Sequence, residues 1–116
     1  MSKIKSYISG IGHYVPDRVV TNDELSKLMD TSDEWITERT GIKERRFADE
    51  GLGPSDLAIP AVEKALNNAG LDKSDIELII FSTISPDYYL PGSGCILQHK
   101  MSFPNIGALD IRTACS

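Results

Sequence analysis

Long apolar runs are missing from this sequence. No uninterrupted apolar stretch approaches the roughly 18 residues that a membrane-spanning helix needs. The first residues, Met1 to Ser6, also lack the apolar core and cleavage site of a secretory signal peptide. We therefore expect a protein that does not span a membrane and that is found in the cytoplasm.

Cysteine and histidine are scarce. Cys95 and Cys115 show neither the spacing of metal ligands nor the density of a disulfide-stapled domain, so a reducing compartment would keep both as thiols. Cys95 and His99 lie four residues apart, but two ligands do not make a metal site. His13 has no neighbouring carboxylate or cysteine, which favours a structural role. The sequence therefore predicts no metal centre.

An excess of basic residues is missing as well. The chain has 12 lysines and arginines against 17 acidic residues, which gives a net charge of -5. This balance argues against a general nucleic-acid binder. The length of 116 residues is enough for one modest globular domain.

A complete dinucleotide-binding fingerprint is also missing. Gly10-Ile11-Gly12 has two of its glycines, but no third follows and Pro16-Asp17 does not open a helix. The stretch Tyr7 to Val15 is rich in aromatic and β-branched residues. It predicts a core strand, loosened by the two glycines and ended by Pro16.

Two capping-box patterns are present. Thr21 to Glu24 and Thr31 to Glu34 each place a hydroxyl three residues before a carboxylate, which is typical of a helix start. The first predicts a short helix that only packs. The second predicts a helix that carries Trp35 and ends at Gly41, because glycine suits a helix exit.

Trp35 and Arg39 form the most informative pair of that second helix. They are four residues apart and share one face, where an indole and a guanidinium offer two planar surfaces for a flat base. Alternatively, Trp35 anchors the core and Arg39 stacks on it without a ligand. The chain concentrates four basic residues within eight positions here, which would either attract a phosphorylated ligand or form a solvated loop: Arg39, Lys43, Arg45 and Arg46.

The second part of the chain reads as an α/β pattern. Apolar residues at helical spacing predict a helix from Pro54 to Gly70, with a kink or a late start because of Pro60. The apolar run within Ile76 to Thr83 predicts a strand covered on both faces of a parallel sheet. A short helix with Cys95 and His99 and a strand from Ala108 to Ala114 complete a βαβ unit.

Cys115 follows this last strand and is the candidate nucleophile. Ala114 and Ser116 flank it without bulk, so an acyl carbonyl could approach the thiol at the carboxyl edge of the strand. The alternative is a packed core cysteine, because free cysteine is among the most buried residue types.

Three blocks of the sequence together resemble the β-ketoacyl-acyl-carrier-protein synthase III family of bacterial fatty-acid synthesis. They are Asp33-Glu34-Trp35-Ile36, Arg39 to Arg45, and Asp110 to Ser116. The resemblance runs from Tyr7 to Ser116. It implies a thiolase-like layered α/β fold, of which residues 1–116 would be the N-terminal half.

The resemblance also implies roles for individual residues. Trp35 and Arg39 would hold the adenine of coenzyme A, with Thr31 near the same ligand. Cys115 would take an acyl group from acyl-CoA, a substrate and not a cofactor, and the acyl group would condense with malonyl on acyl carrier protein. Leu90, in an aromatic loop between two prolines, would reach the acyl pocket of the partner in a homodimer; the alternative is a plain surface loop.

One departure from the family remains. The histidine and asparagine that work with the family's cysteine match no residue of this chain, so we expect these 116 residues alone to be inactive. Two functions follow from the sequence: the condensing enzyme, represented by its N-terminal half, or a non-catalytic half-domain that binds coenzyme A or pairs with a complementary chain. A different acyl-CoA condensing enzyme of the thiolase type is a further alternative.

Overall fold

The computed structural model describes residues 5–113, in two compact units. The small unit is residues 15–51, and the large unit combines residues 5–14 with the described chain from Leu52 onward. The elements in chain order are β1 (Arg18–Thr21), α1 (Asn22–Ser26), α2 (Asp33–Thr40), β2 (Glu44–Phe47), α3 (Pro54–Ala69), a 3-10 turn (Lys73–Asp75), β3 (Leu78–Ser82), α4 (Ser93–Lys100) and β4 (Gly107–Ile111).

The small unit is an antiparallel strand pair with two short helices between its strands. β1 pairs with β2 in a register that places Arg18 opposite Phe47. Val20 of β1 is fully buried, and Ile36 is the buried residue of α2. The core of this unit therefore consists of few side chains, and polar contacts carry much of its organisation.

Both helices of the small unit begin with a hydroxyl cap. The Thr21 hydroxyl accepts a hydrogen bond from the Glu24 amide at 3.2 Å, as predicted. For α2 the cap is Ser32, which accepts from the Trp35 amide at 3.1 Å, so the prediction that placed Thr31 in this role is wrong by one residue. Gly41 ends α2 at φ 71°, the left-handed conformation that favours glycine, as predicted.

The large unit contains α3, the longest helix. It runs for 16 residues from Pro54, and Gly70 ends it at φ 67°. The helix continues through Pro60 without interruption, so the predicted late start is wrong. No helix within residues 5–113 is both long and apolar enough to cross a membrane.

The predicted βαβ unit is confirmed. β3 and β4 are parallel, with Leu78 opposite Gly107, and α4 connects them. Ile79, Leu97 and Met101 are its buried centre. The partly buried residues around them come from α3, the two strands and the turn before β4: Ala58, Ile59, Val62, Phe81, Phe103, Ile106 and Ala108.

Only one face of this sheet is covered within the described residues. Ile79 is buried, whereas the alternate residues Leu78 and Ile80 are 53% and 58% exposed, and Leu109 of β4 is 51% exposed. The prediction of a strand covered on both faces is therefore not met here. An unbroken apolar run is typical of a strand that is buried on both faces, but the second face of β3 is exposed within the described residues.

The predicted core strand from Tyr7 to Val15 is wrong. Residues 5–17 contain no strand, and Tyr7 and Ile8 are strongly exposed. The segment bonds to helix α3 instead: the Ile11 amide donates to the Asn68 side-chain oxygen at 3.0 Å. A Cβ on Gly12 would meet the backbone of α3. The glycine therefore allows the segment to pack closely against this helix, and it does not mark a strand.

Candidate functional site

Trp35 and Arg39 are together on the exposed face of α2. The guanidinium carbon of Arg39 lies 4.4 Å from the centroid of the Trp35 ring, and Trp35 is 52% exposed. The two side chains thus stack directly on each other, as one alternative proposed, but Trp35 does not anchor a core. Because about half of Trp35 stays exposed beside the guanidinium, aromatic surface is available to a ligand.

Thr31 lies next to the Ser32 cap of the same helix. Its hydroxyl oxygen is buried and has no hydrogen-bond partner within residues 5–113. An unpaired buried hydroxyl costs roughly 1–3 kcal/mol.

The four basic residues in and after α2 are not equivalent, because two of them are bonded within the small unit. Arg45 donates to the Val20 carbonyl at 3.1 Å and also to the Asn22 side chain. Arg46 donates to the Pro16 carbonyl at 3.1 Å. Both guanidinium groups therefore hold the strand pair together, which sequence spacing could not reveal.

Asn22 is the residue of this unit that the sequence prediction missed. It is 1% exposed and bonds to Asp33 within α2 and to Ile42 and Arg45 after it. The sequence held no signal for it, because Asn22 is the first residue of α1, where an asparagine is ordinary, and its bonds join distant parts of the chain.

The candidate nucleophile, Cys115, lies outside the described residues. The strand that leads towards it is present as β4, somewhat shorter than predicted. Within β4 the Asp110 carboxylate accepts a hydrogen bond from the Gly94 amide at 3.1 Å, at the start of α4. A Cβ on Gly92 would meet the same carboxylate. Asp110 thus ties the strand to the helix N-terminus, where a negative charge is favourable.

The loop that contains Leu90 is exposed at its tip and fastened at its base. Leu90 is 91% exposed. Behind it, the Asp87 carboxylate accepts from the Ser55 hydroxyl at 2.7 Å and from the Ser55 amide at 3.2 Å, at the start of α3. Arg112 donates to the Tyr89 carbonyl at 2.8 Å, and its guanidinium stacks over the Tyr89 ring. The tip of the loop is therefore apolar and exposed, whereas hydrogen bonds hold the residues on either side of it.

A second carboxylate extends this polar base. Lys100 donates to the Ser55 hydroxyl at 2.9 Å and to Asp56 at 2.6 Å. The bond from Lys100, with help from the Gly53 amide, lowers the pKa of Asp56. Burial alone would raise the pKa of Asp87, but hydrogen bonds from Ser93 and Ser55 outweigh it and lower that pKa.

Cys95 and His99 lie on α4, and both are exposed. Within residues 5–113, no group of three or more histidine, cysteine, aspartate or glutamate side chains is arranged to hold a metal ion. The thiol of Cys95 is free.

No protein-family model matches the chain. Individual relatives match strongly. β-Ketoacyl-acyl-carrier-protein synthase III of Geobacillus kaustophilus is 49% identical over 109 residues, which are 94% of this chain and 35% of the relative. The enzyme of the same name from Koribacter versatilis is 42% identical over 112 residues, or 97% of this chain and 34% of the relative.

Solved structures agree with these relatives. The crystal structure of 3-oxoacyl-acyl-carrier-protein synthase III from Aquifex aeolicus superposes with a TM-score of 0.86 at 44% identity, over 94% of this chain and 35% of that one. A priming β-ketosynthase of a polyketide biosynthetic pathway reaches 0.85 at 33% identity, over 93% of this chain and 32% of that one.

The predicted resemblance is thereby confirmed, with one difference in extent. The chain spans about a third, and not half, of the length of these relatives. Over nearly all of its own length, this chain matches β-ketoacyl-acyl-carrier-protein synthase III, and its α/β fold is the corresponding part of that thiolase-like fold.

Proposed function

We propose that this chain contributes the coenzyme A face and the nucleophile of a β-ketoacyl-acyl-carrier-protein synthase III, which starts fatty-acid synthesis by condensing an acyl group with malonyl on acyl carrier protein. The observation that carries the proposal is 49% identity over 94% of the chain with an enzyme of that name. Because the chain spans about a third of such relatives, the proposed reaction is that of a longer polypeptide or of an assembly.

Trp35, Arg39 and Thr31 are the proposed coenzyme A contacts. A base would stack on the exposed indole beside the guanidinium. Thr31 is included because the resemblance places it near the same ligand. Of the four basic residues around α2, Arg39 and the exposed Lys43 would face phosphate groups, since Arg45 and Arg46 bond within the unit.

Cys115 is the proposed nucleophile. Its thiolate would attack the carbonyl carbon of the acyl-CoA thioester, a new carbon–sulfur bond would form, and coenzyme A would leave as its thiolate. Loss of carbon dioxide from malonyl on acyl carrier protein would then generate a carbanion. That carbanion would attack the acyl-cysteine carbonyl, form the new carbon–carbon bond and release the Cys115 thiolate.

The remaining partners are proposed on the same basis. Acyl-CoA is a substrate, malonyl on acyl carrier protein is the acceptor, and the working enzyme is a cytoplasmic homodimer in which the exposed Leu90 reaches the partner's acyl pocket. The net charge of -5 speaks against nucleic acid as a partner.

A chimera tests the proposal. The chain would be joined to the part of the Geobacillus kaustophilus synthase that it does not cover, and assayed with acyl-CoA and malonyl on acyl carrier protein. We expect acylation of Cys115, detected by mass spectrometry, and condensation. A folded chimera without either would overturn the proposed reaction.

A non-catalytic coenzyme A-binding role is the second candidate. It is favoured by the location of Trp35 and Arg39 in a compact unit of their own, residues 15–51. In this case, the 116-residue chain would quench its Trp35 fluorescence on addition of coenzyme A, while the folded chimera would bind coenzyme A without transferring an acyl group.

A further inference from the structure

Asn22 occupies the centre of the small unit. Its side chain is 1% exposed. Its amide nitrogen donates to the Asp33 carboxylate at 2.7 Å and to the Ile42 carbonyl at 2.8 Å. Its amide oxygen accepts from Arg45, whose other nitrogen donates to the Val20 carbonyl. Both strong donor positions and the acceptor of this amide are thus used.

These partners bracket one helix. Asp33 is the first residue of α2, and Ile42 follows Gly41, the cap at its other end. The Thr37 hydroxyl, in the middle of α2, donates to the same Asp33 oxygen at 3.3 Å. A single buried amide therefore fixes both ends of α2 to the β1 and β2 strand pair.

The same helix carries the proposed coenzyme A face. Trp35 and Arg39 are exposed residues within the eight residues that Asn22 brackets. Little apolar packing could hold α2 in place instead, because Ile36 is its one buried residue. A helix held by so few apolar contacts depends on its polar ones for its orientation.

We propose that Asn22 is a positioning residue for the coenzyme A face: it clamps both ends of α2 so that Trp35 and Arg39 are held ready for the ligand. This inference rests on the proposed function. It concerns affinity and not chemistry, because Asn22 is buried and acts through Asp33, Ile42 and Arg45 without touching the ligand.

The 116-residue chain itself can report on this role. Trp35 is the only tryptophan, so quenching of its fluorescence by coenzyme A measures binding at α2 directly. Asn22→Ala removes the side-chain bonds to Asp33, Ile42 and Arg45. Val20→Ala is the matched control, because it removes fully buried apolar atoms of the same unit and leaves the side chains of the clamp unchanged.

We expect Asn22→Ala to weaken coenzyme A binding by about tenfold, since small misplacements of a binding group are costly. Val20→Ala should lose clearly less affinity, because it keeps the backbone carbonyl that accepts from Arg45 and every side-chain bond that Asn22 makes. Both are compared at a temperature at which circular dichroism shows each variant folded. Equal losses in the two variants would overturn the proposal, because they would reflect stability alone.

A charge swap provides the rescue. Asn22→Asp alone brings a second carboxylate against Asp33 and should bind at least as weakly as the alanine variant. Adding Asp33→Asn restores a donor and an acceptor at the same contact and should recover part of the affinity. Absence of any recovery in a folded double variant would count against the clamp.

Amide hydrogen exchange of α2 separates this proposal from the proposed function. If the unchanged chain does not bind coenzyme A, the proposed ligand is wrong, and exchange alone decides the clamp. Faster exchange in α2 for Asn22→Ala than for Val20→Ala would support it. Equal exchange in the two variants would refute it.

Discussion

Trp35 carries the first prediction at the scale of single residues. In the completed chimera, Trp35→Ala should weaken acyl-CoA binding by roughly 1–3 kcal/mol, the usual worth of stacking a base on an aromatic ring. The Michaelis constant for acyl-CoA and the direct binding of coenzyme A measure it. Trp35→Phe is the control, because it keeps a ring and should lose less. Unchanged values in the alanine variant would contradict the role.

Cys115 carries the second. In the same chimera, Cys115→Ser should abolish acyl transfer, because an alcohol is far less ionised than a thiol near neutral pH. Mass spectrometry after incubation with acyl-CoA locates the acyl group. Cys95→Ser is the matched control and should keep the activity, since Cys95 is a free thiol on the exposed side of α4. Acylation of Cys95 would refute the assignment of Cys115.

Asp87 and Asp56 should make the stability of the protein depend on pH. Both pKa values are lowered from the ordinary 3.8, which means that the two ionised carboxylates stabilise the folded state. This contribution to the free energy of unfolding is fully present above about pH 4 and is lost as the pH falls through the folded-state pKa values. Asp87→Asn should flatten the acid limb of stability measured by denaturant unfolding. The matched control is Asp17→Asn, an exposed residue of the small unit. An identical acid limb in Asp87→Asn and the unchanged chain would contradict this.

At the scale of elements, most helix ends could be predicted from neighbouring residues, although the cap of α2 is Ser32 and not Thr31. The caps at Thr21 and Gly41 and the helix end at Gly70 need only neighbouring residues, and the sequence predicted them. Tyr7 to Val15 failed because a strand needs a partner, and composition cannot tell whether the neighbour is a strand or a helix. Asn22 and Arg45 were not foreseen for the same reason, since their bonds join distant parts of the chain.

Gly12 allows a test of the contact between the N-terminal segment and α3. A Cβ at this position would meet the Ala61 carbonyl and the Ala65 amide, which are backbone atoms of α3 and cannot move aside. Gly12→Ala should therefore destabilise the large unit by roughly 1–3 kcal/mol, as overpacking does. Thermal unfolding measures it, with Ser9→Ala, an exposed neighbour, as the control. Equal stability of both variants would show that the close approach to α3 is not formed.

At the scale of the whole molecule, the open face of the sheet is the feature that sets behaviour in solution. Parallel sheets are normally covered on both faces, yet Leu78, Ile80 and Leu109 are each more than half exposed. Three neighbouring apolar residues on two paired strands form a patch that water disfavours and that another apolar surface would cover. We therefore expect the 116-residue chain to self-associate when it is kept on its own.

Ile80→Thr tests this self-association without breaking the strand. Threonine keeps the β-branched shape that suits a strand but places a hydroxyl on the open face, so the sheet should survive and the association should weaken. Analytical ultracentrifugation over a range of concentrations measures it. Leu28→Thr, which changes an exposed leucine of the small unit, should leave the association as it was. Joining the chain to the remainder of the Geobacillus kaustophilus synthase should abolish the effect of Ile80, if that remainder covers the face. A chain that stays monomeric at every concentration would show that the open face tolerates water, and the argument from the sheet would fail.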